Sequence, residues 1–448
     1  MASPLGKHAI VIGAGIAGLA AAKALSAHFE KVTVLERDLL PAGPEARTGT
    51  PHCRQAHTLL KAGLNALLQF FPEFETELEL AGAVRARAAI DILVETPGFD
   101  PWPRRDFGFD TLCMTRPLVE SVARRLVERQ GNIALLPQCR VRRLAHSADK
   151  SSVSGVYHDE ANGQPCRLDA DIVIDASSRG NLTLDALHEL GLPRPAETEI
   201  GVDIGYATAI FDIPPGASRE WRGIIHRPDA QSGRGAFLFS VENNRWQISL
   251  SGMHGDHPPD DLQGFVAFAK TLRTPTVYEA IKDATMVGVI HRFVFPCSVR
   301  RRFEALATFP KGLVPVGYVI FRFYPAFGQG MTVAVQQVSV LKTLLDERAG
   351  NALPLNDVAP AFFTAIQGVL AAPWGVAESD FMYAKTRGER PVDFQQRLKF
   401  GSMLQRVAIE DAAVHKVLTA VNHLLIPPTA LREPHIVEKV NALMAVSN

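Results

Sequence analysis

Apolar and polar positions follow the most regular pattern at the start of the chain. Residues 9–12 form a short apolar run that predicts a buried strand, and the alanine-rich stretch from residue 16 to about 27 predicts a helix. A second apolar run at residues 32–35 predicts another strand, which is closed by Glu36. The order strand, glycine turn, helix and strand is typical of a βαβ unit with parallel strands.

Further along, the pattern changes twice. Residues 170–175 predict a buried strand that ends in Asp175, and residues 313–319 predict another, followed by a glycine-rich turn and a helix pattern at 332–347. Short alternating runs between residues 201 and 291 predict antiparallel strands, and residues 357–448 are mostly helical in pattern. The sequence therefore predicts an α/β fold: a Rossmann-like parallel sheet, an inserted antiparallel sheet and C-terminal helices.

The first glycine turn has the chemistry of a dinucleotide site. Gly13 allows a tight turn, Gly15 lets the backbone approach a pyrophosphate, and Gly18 lets the helix pack against the strand. The free N–H groups of the helix N-terminus favour negative charge, and Glu36 is spaced to accept hydrogen bonds from a ribose. Because strand, helix and acid are all in order, we favour a dinucleotide site over an ordinary βαβ turn.

A long polar loop is predicted at residues 37–58, at the carboxyl end of a parallel strand, where open α/β sheets hold their ligands. Its Arg47, Arg54, Gln55 and His57 are candidates for contact with cofactor or substrate; the alternative is a solvent-exposed loop in which they are incidental.

Arg116 precedes Pro117 at the start of a helix predicted over residues 117–130, a position suited to a cation that meets a phosphate or a ribityl hydroxyl. Trp102, Phe107 and Phe109 lie in a proline-rich loop and either line a pocket for an apolar substrate or cover a core.

Composition narrows the possible partners. With 448 residues, two or three domains are expected. Lysine plus arginine and aspartate plus glutamate each number 47, so no net charge favours nucleic acid or an anionic membrane. The five scattered cysteines indicate neither a disulfide framework nor a zinc site, and His254 and His257 lack further metal ligands. No apolar run reaches the length of about 20 residues that a membrane span needs, and a strand is predicted within the first ten residues, so we expect a cytoplasmic protein.

Three motifs in order resemble one known family. GAGIAG with Glu36, DASSRG at Asp175 and PAFGQGM before a helix resemble the class A flavoprotein monooxygenases, the para-hydroxybenzoate hydroxylase type, over residues 7–345. Within that class, the segments PAGPEARTGTPHCRQAH, TRPLVES, DASSRG and GVDIGYAT are most similar to flavin-dependent epoxidases and hydroxylases of polyketide or terpenoid biosynthesis.

The resemblance implies a binding site for FAD and a division of the chain into domains. A discontinuous FAD-binding domain of the GR2 type would comprise residues 1–75, 110–185 and 290–350, a substrate-binding sheet 76–109 and 186–289, and a helical region 351–448. The turn would hold the pyrophosphate, Glu36 the adenosine ribose, Arg37 the adenine side and Arg116 the middle of FAD. The implied cofactor-binding residues are Gly13, Ala14, Gly15, Ile16, Ala17, Gly18, Glu36, Arg37, Arg47, His57, Arg116, Val141, Asp175, Gly317, Tyr318, Pro325, Gly328, Gly330 and Met331, the last four along the isoalloxazine ring.

The chain departs from the family pattern in three places. Gly317–Tyr318 stands where relatives carry Gly-Asp, with the aspartate bound to the ribityl chain. Loss of that acceptor removes a charge-assisted hydrogen bond of about 1.5 to 3 kcal/mol, which predicts FAD binding weaker by about ten- to a hundred-fold. Ser178 replaces a glycine of the middle motif, and Tyr324 stands where asparagine is common.

The resemblance implies a monooxygenase that epoxidises or hydroxylates an apolar secondary-metabolite intermediate through a flavin C4a-hydroperoxide formed with O2. No second complete G-x-G-x-x-G is present, so NAD(P)H docks transiently at the flavin or a separate flavin reductase supplies electrons. No catalytic side chain is identified. A flavin halogenase is a related alternative, but the W-x-W-x-I-P pattern of that group is absent. The Tyr318 departure favours a different alternative, a redox-neutral cyclase or a binding protein.

Overall fold

The computed structural model describes residues 4–217 and 220–446. Its strands are β1 (Gly6–Ile12), β2 (Phe29–Leu35), β3 (Val84–Arg87), β4 (Ile92–Glu95), β5 (Asp110–Cys113), β6 (Ile133–Leu136), β7 (Arg140–His146), β8 (Val153–Asp159), β9 (Pro165–Asp169), β10 (Ile172–Asp175), β11 (Glu197–Asp212), β12 (Gly223–His226), β13 (Arg234–Val241), β14 (Arg245–Met253), β15 (Met286–Arg301), β16 (Leu313–Pro315) and β17 (Phe321–Arg322).

Helices separate most of these strands and form the C-terminal region. They are α1 (Ile16–Ser26), α2 (Lys61–Phe70), α3 (Phe74–Leu80), α4 (Arg116–Glu128), α5 (Asn181–Glu189), α6 (Leu262–Lys270), α7 (Thr276–Ile281), α8 (Gly330–Glu347), α9 (Val358–Ala365), α10 (Gln367–Glu378), α11 (Phe394–Glu410), α12 (Ala412–Asn422) and α13 (Pro434–Val446).

A five-stranded parallel sheet forms the first layer of the fold. Its strand order is β16-β10-β1-β2-β6, and the apolar residues of β1 and β2 that predict strands are fully enclosed in it. Helix α1 packs its alanines against this sheet and against α8, where small side chains permit close approach. Since all five strands are parallel, their carboxyl ends share one edge, and the Rossmann-like fold predicted from the sequence is confirmed.

A seven-stranded sheet forms the second layer. Its order is β17-β15-β11-β14-β13-β12-β4, antiparallel except for the parallel pair of β12 and β4. One face packs on α6 and α7 around Phe211 and Phe265. The opposite face carries Thr208 and Ser249, which bond to Gln55 and the Ala56 N–H of the polar loop. The predicted antiparallel sheet is therefore joined to the parallel sheet through that loop.

The C-terminal helices cover the proline-rich loop. The Trp102 indole N–H donates to His415 Nε2 at 2.7 Å, Phe107 lies edge-on to His415, and Phe109 lies edge-on to His423. These aromatic residues therefore pack against helices. Of the two alternatives, they cover a core rather than line a pocket for an apolar substrate.

Within the described residues no single helix is long and apolar enough to cross a bilayer. The bent pair Val358–Ala365 and Gln367–Met382 meets the requirements for length and apolarity only when its two helices are taken together.

One predicted element differs in the structure. The strand expected at residues 313–319 ends at Pro315, and Gly317–Val319 form a 3-10 turn instead. Gly317 has a φ of 64°, and its N–H donates to Gln337 Oε1 of α8 at 2.8 Å rather than to a neighbouring strand. Helix α8 also begins at Gly330, two residues earlier than its apolar pattern predicts.

Candidate functional site

Two adjoining cavities lie at the carboxyl edge of the parallel sheet. The dinucleotide cavity has a volume of about 440 Å³ and is lined by the first glycine turn, Glu36, Val141 and the start of α8. The aromatic cavity has a volume of about 350 Å³ and lies against the seven-stranded sheet. The two share a set of lining residues: Arg37, Gly49, His52, Arg116, Ser177, Ser178, Arg179, Tyr318, Gly330 and Met331. They therefore form one continuous space.

The glycine turn has the geometry that its sequence predicts. Gly13 adopts a φ of 99°, a conformation that favours glycine. A Cβ at Gly15 would meet no atom within 4 Å, so the backbone there faces open space at the N-terminus of α1. A Cβ at Gly18 would lie 1.9 Å from the Gly13 carbonyl oxygen, so the helix contacts the turn directly. Gly13, Gly15, Ile16 and Ala17 line the cavity, whereas Ala14 and Gly18 do not.

Glu36 is buried, and its carboxylate is held by the protein. It accepts from the Ala14 N–H at 2.8 Å and lies 2.9 Å from Arg47 Nη1. Arg47 also pairs with Asp38 at 3.2 Å and Glu120 at 2.6 Å. Burial would lower the pKa of Arg47, but the charges of Glu120 and Glu36 outweigh burial and raise this pKa above its ordinary value. Arg47 therefore orients the carboxylates around the cavity, and its own charge is fully paired.

Arg116 stands at the junction of the two cavities. It is 9% exposed at the start of α4, and its Nε has no hydrogen-bond partner among the described residues. Its charge contributes, after burial, to lowering the pKa of two nearby histidines: that of His57 to about 3, and that of His52 well below its usual range. His57 Nδ1 donates to the Gln55 carbonyl at 2.7 Å, so its Nε2 carries the lone pair. Both imidazoles are neutral at pH 7.

His52 was missed by sequence reasoning. It lines both cavities from the same loop as His57, and its ring lies 6.0 Å from that of His57. The only available signal was its place in the polar loop, five residues before His57. Arg54 lines neither cavity, and Gln55 lines the aromatic cavity while it bonds Thr208.

Asp175 is fully buried and lines neither cavity. Its carboxylate accepts from the Ser177 N–H at 3.0 Å and from Thr183 Oγ1 at 2.6 Å. This arrangement holds the middle turn and the first turn of α5, so the acid shapes the cavity wall through Ser177 and Ser178. Ser178 has a φ of 71°, a conformation that glycine adopts without strain and that other residues rarely adopt.

Tyr318 lies at the junction of the two cavities. Its ring lies 6.5 Å from that of His52 and 6.4 Å from that of Phe323, and it lines both cavities. A Cβ at Gly330 would lie 2.2 Å from the Tyr318 hydroxyl, so the phenol contacts the start of α8. Pro325, Gly328, Gly330 and Met331 line the aromatic cavity beside it, whereas Gly317 lies outside both.

The aromatic cavity takes its wall from residues that sequence reasoning did not single out. Phe237 and Phe239 project from one face of β13, and Phe293 and Phe295 from one face of β15. Alternation along each strand indicated two faces but did not show which of them borders a cavity. No acidic side chain among the described residues lines this cavity.

These features fit FAD. The open backbone at Gly15 leaves room for a pyrophosphate at a helix N-terminus, Glu36 borders the cavity on the side of β2, and Arg116 has an unpartnered buried nitrogen midway. The start of α8 lies at the far end, next to the aromatic wall. The site thus offers a phosphate cradle, a central cation and an apolar end in a single space.

Comparisons with known proteins agree with this assignment. A family model described as FAD dependent oxidoreductase matches residues 8–181. Protein Rv3254 of Mycobacterium tuberculosis (strain ATCC 25618 / H37Rv) is 31% identical over 355 residues, 76% of this chain and 73% of that protein.

Solved structures share the fold at low identity. The flavin-dependent brominase Bmp2 matches with a TM-score of 0.65 and 13% identity over 99% of both chains. PqsL, a probable FAD-dependent monooxygenase from Pseudomonas aeruginosa, matches with a TM-score of 0.59 and 16% identity over 85% of this chain and 98% of that one. The Diels-Alderase PyrE3 of pyrroindomycin biosynthesis matches with a TM-score of 0.63 and 13% identity over 93% and 80%. The chain belongs to the FAD-dependent oxidoreductase family and has the fold of the class A flavoprotein monooxygenases.

Proposed function

We propose that this enzyme is an FAD-dependent monooxygenase that epoxidises or hydroxylates an apolar small molecule with O2. The observation that carries the proposal is the continuity of the dinucleotide cavity with an aromatic-walled cavity at the start of α8. A substrate held against Phe237 and Phe293 would lie next to the ring end of the cofactor. When bound, the flavin would supply the activation of O2.

Residues of this chain would bind the cofactor and orient it. The N–H groups at the start of α1, beside Gly15, would hold the pyrophosphate, and Glu36 would accept from the ribose. Arg116 would meet the middle of the cofactor with its unpartnered nitrogen. Of the remaining predicted contacts, Gly330 and Met331 would border the ring, because both line the two cavities at once.

The aromatic cavity would exclude water from the reacting end. Its four phenylalanines present apolar surface, and the neutral forms of His52 and His57 add no charge at pH 7. Exclusion of water protects reactive species from hydrolysis and strengthens the remaining polar contacts. We name no side chain as a proton donor or acceptor in the oxygen transfer.

A second candidate function is a redox-neutral cyclisation in the same aromatic cavity. The observation that favours it is Tyr318: its phenol stands where the family resemblance implies an acid, and its hydroxyl contacts the start of α8. A flavin held less tightly would leave the apolar cavity to orient a folded substrate without electron transfer. PyrE3 provides a precedent for such chemistry on this fold.

One experiment distinguishes the two candidate functions. The purified protein is loaded with FAD and incubated with apolar polyketide or terpenoid substrates under 18O2, with NADH, with NADPH, or with a flavin reductase. We expect substrate-stimulated consumption of the reductant and one labelled oxygen in the product. An isomeric product formed without O2 and without a reductant would support the cyclase, and a protein that takes up no FAD would contradict the monooxygenase.

A further inference from the structure

Glu242 is a buried carboxylate that lines neither cavity. It is 9% exposed and directly follows β13, the strand whose Phe237 and Phe239 form part of the aromatic wall. A buried carboxylate is unfavourable unless hydrogen bonds compensate its charge. The groups that bind it therefore indicate its role.

Both carboxylate oxygens of Glu242 bind the N-terminus of α4. Oε2 accepts from the Thr115 N–H at 3.0 Å, and Oε1 accepts from the Thr115 hydroxyl. Thr115 is the N-cap of α4, and its hydroxyl in turn accepts from the Leu118 N–H at 3.4 Å. Negative charge at a helix N-terminus is favourable, because the first N–H groups have no partner within the helix. The seven-stranded sheet thus holds the start of a helix that borders the dinucleotide cavity.

The backbone around Glu242 fixes the place of this carboxylate. Asn243 and Asn244 have φ of 65° and 56° and reverse the chain between β13 and β14, a conformation that asparagine adopts more readily than most residues. From the other side, a Cβ at Gly82 would lie 3.1 Å from the Glu242 Cβ, so the side chain packs against the backbone between α3 and β3. Glu242 is therefore confined between a tight turn and a neighbouring segment.

Arg116 is the residue that follows this N-cap. It begins α4, lines both cavities and has a buried Nε without a partner among the described residues. Because the side chain of Arg116 is long and flexible, the place of its backbone decides which part of the cavity its charge reaches. A binding group is effective only when neighbouring residues hold it in the productive geometry.

We infer that Glu242 is a positioning residue for the cofactor, which fixes the first turn of α4 and thereby directs Arg116 towards the middle of FAD. The inference rests on the proposed contact of Arg116 with FAD. It adds a role in cofactor binding for a residue of the seven-stranded sheet that touches neither cavity.

The test is a double-mutant cycle on the dissociation constant of FAD, measured by quenching of flavin fluorescence as FAD is added to the apoprotein. Arg116→Gln should raise the Kd by about ten- to a hundred-fold, because a charge-assisted hydrogen bond is lost. Glu242→Ala should raise it by about ten-fold in the wild-type background, since the start of α4 loses both bonds. In the protein that already carries Arg116→Gln, the same replacement should change the Kd by less than about two-fold.

Glu242→Gln and Asp212→Ala are the matched variants. Glutamine keeps the length and one acceptor oxygen, so it should raise the Kd less than alanine does; the cycle is run with both replacements in case alanine prevents folding. Asp212 ends β11 in the same sheet, pairs with Arg245 at 3.0 Å and lines neither cavity. Asp212→Ala should therefore leave the Kd unchanged, and thermal melts of each apoprotein show whether it is folded.

The outcomes separate this inference from the proposal on which it rests. Equal losses of FAD affinity in both backgrounds would show that Glu242 does not act through Arg116 and would overturn the inference. A lower melting temperature with an unchanged Kd would also overturn it, because Glu242 would then only join the two parts of the fold. If Arg116→Gln leaves the Kd unchanged, the proposed contact of Arg116 fails as well. If Arg116→Gln weakens FAD binding and neither replacement of Glu242 does, only the positioning role fails.

Discussion

Replacement of Tyr318 by aspartate tests the assignment of the cofactor site at its most unusual position. Burial raises the pKa of the Tyr318 phenol, so it is a neutral group at the position where the family resemblance implies a charged acceptor. Arg116 and Arg322 both act on this position electrostatically. The two arginines would favour the ionised form of a carboxylate introduced there, against the effect of burial, and this carboxylate could accept from the ribityl hydroxyls of FAD.

The expected gain follows from one charge-assisted hydrogen bond. Such a bond contributes about 1.5 to 3 kcal/mol, which corresponds to FAD binding tighter by about ten- to a hundred-fold. Removal of the ring adds a separate effect, because the phenol packs between His52 and Phe323 at the cavity junction. The steric and the electrostatic contributions have to be measured apart.

Three variants separate these contributions. Tyr318→Ala removes the ring, Tyr318→Asn adds a neutral side chain of the shape of aspartate, and Tyr318→Asp adds the charge. The dissociation constant of FAD is measured for each apoprotein by calorimetry or by quenching of flavin fluorescence. If the aspartate variant binds FAD no more tightly than the asparagine variant, residue 318 does not contact the ribityl chain and the site assignment there is wrong.

Three further changes test the turn, the helix start and the C-terminal region. Gly18→Ala places a Cβ 1.9 Å from a carbonyl oxygen, so it should lower the unfolding free energy by about 1 to 3 kcal/mol or more and release FAD, as thermal melts and flavin absorbance would show. Gly330→Ala collides with the Tyr318 hydroxyl, and its melting temperature should recover when combined with Tyr318→Ala; no recovery would disprove the contact. Burial, then the charge of a nearby arginine, lowers the pKa of His415 to about 4, so stability should fall as the pH drops from 6.5 towards 4, by about 2 kcal/mol at pH 5. Denaturant titrations of His415→Gln, which can still accept from Trp102, should show a shallower fall.

The N-terminal βαβ unit could be predicted because its determinants are local. The apolar runs of β1 and β2, the glycines between them and Glu36 all lie within about thirty consecutive residues, and each has one physical meaning. By contrast, the strand predicted at residues 313–319 ended early for a nonlocal reason. An apolar run has the same appearance in a strand and in a 3-10 turn, and the Gly317 N–H is bound by Gln337, twenty residues later.

The candidate site could be predicted only in part, since most of it depends on contacts between distant segments. The sequence identified Arg116 and His57 as ligand candidates, and both line the cavities. It did not show that the charge of Arg47 is fully paired with carboxylates, nor that Asp175 turns towards Thr183 instead of the cavity. These outcomes depend on side-chain neighbours that periodicity does not reveal.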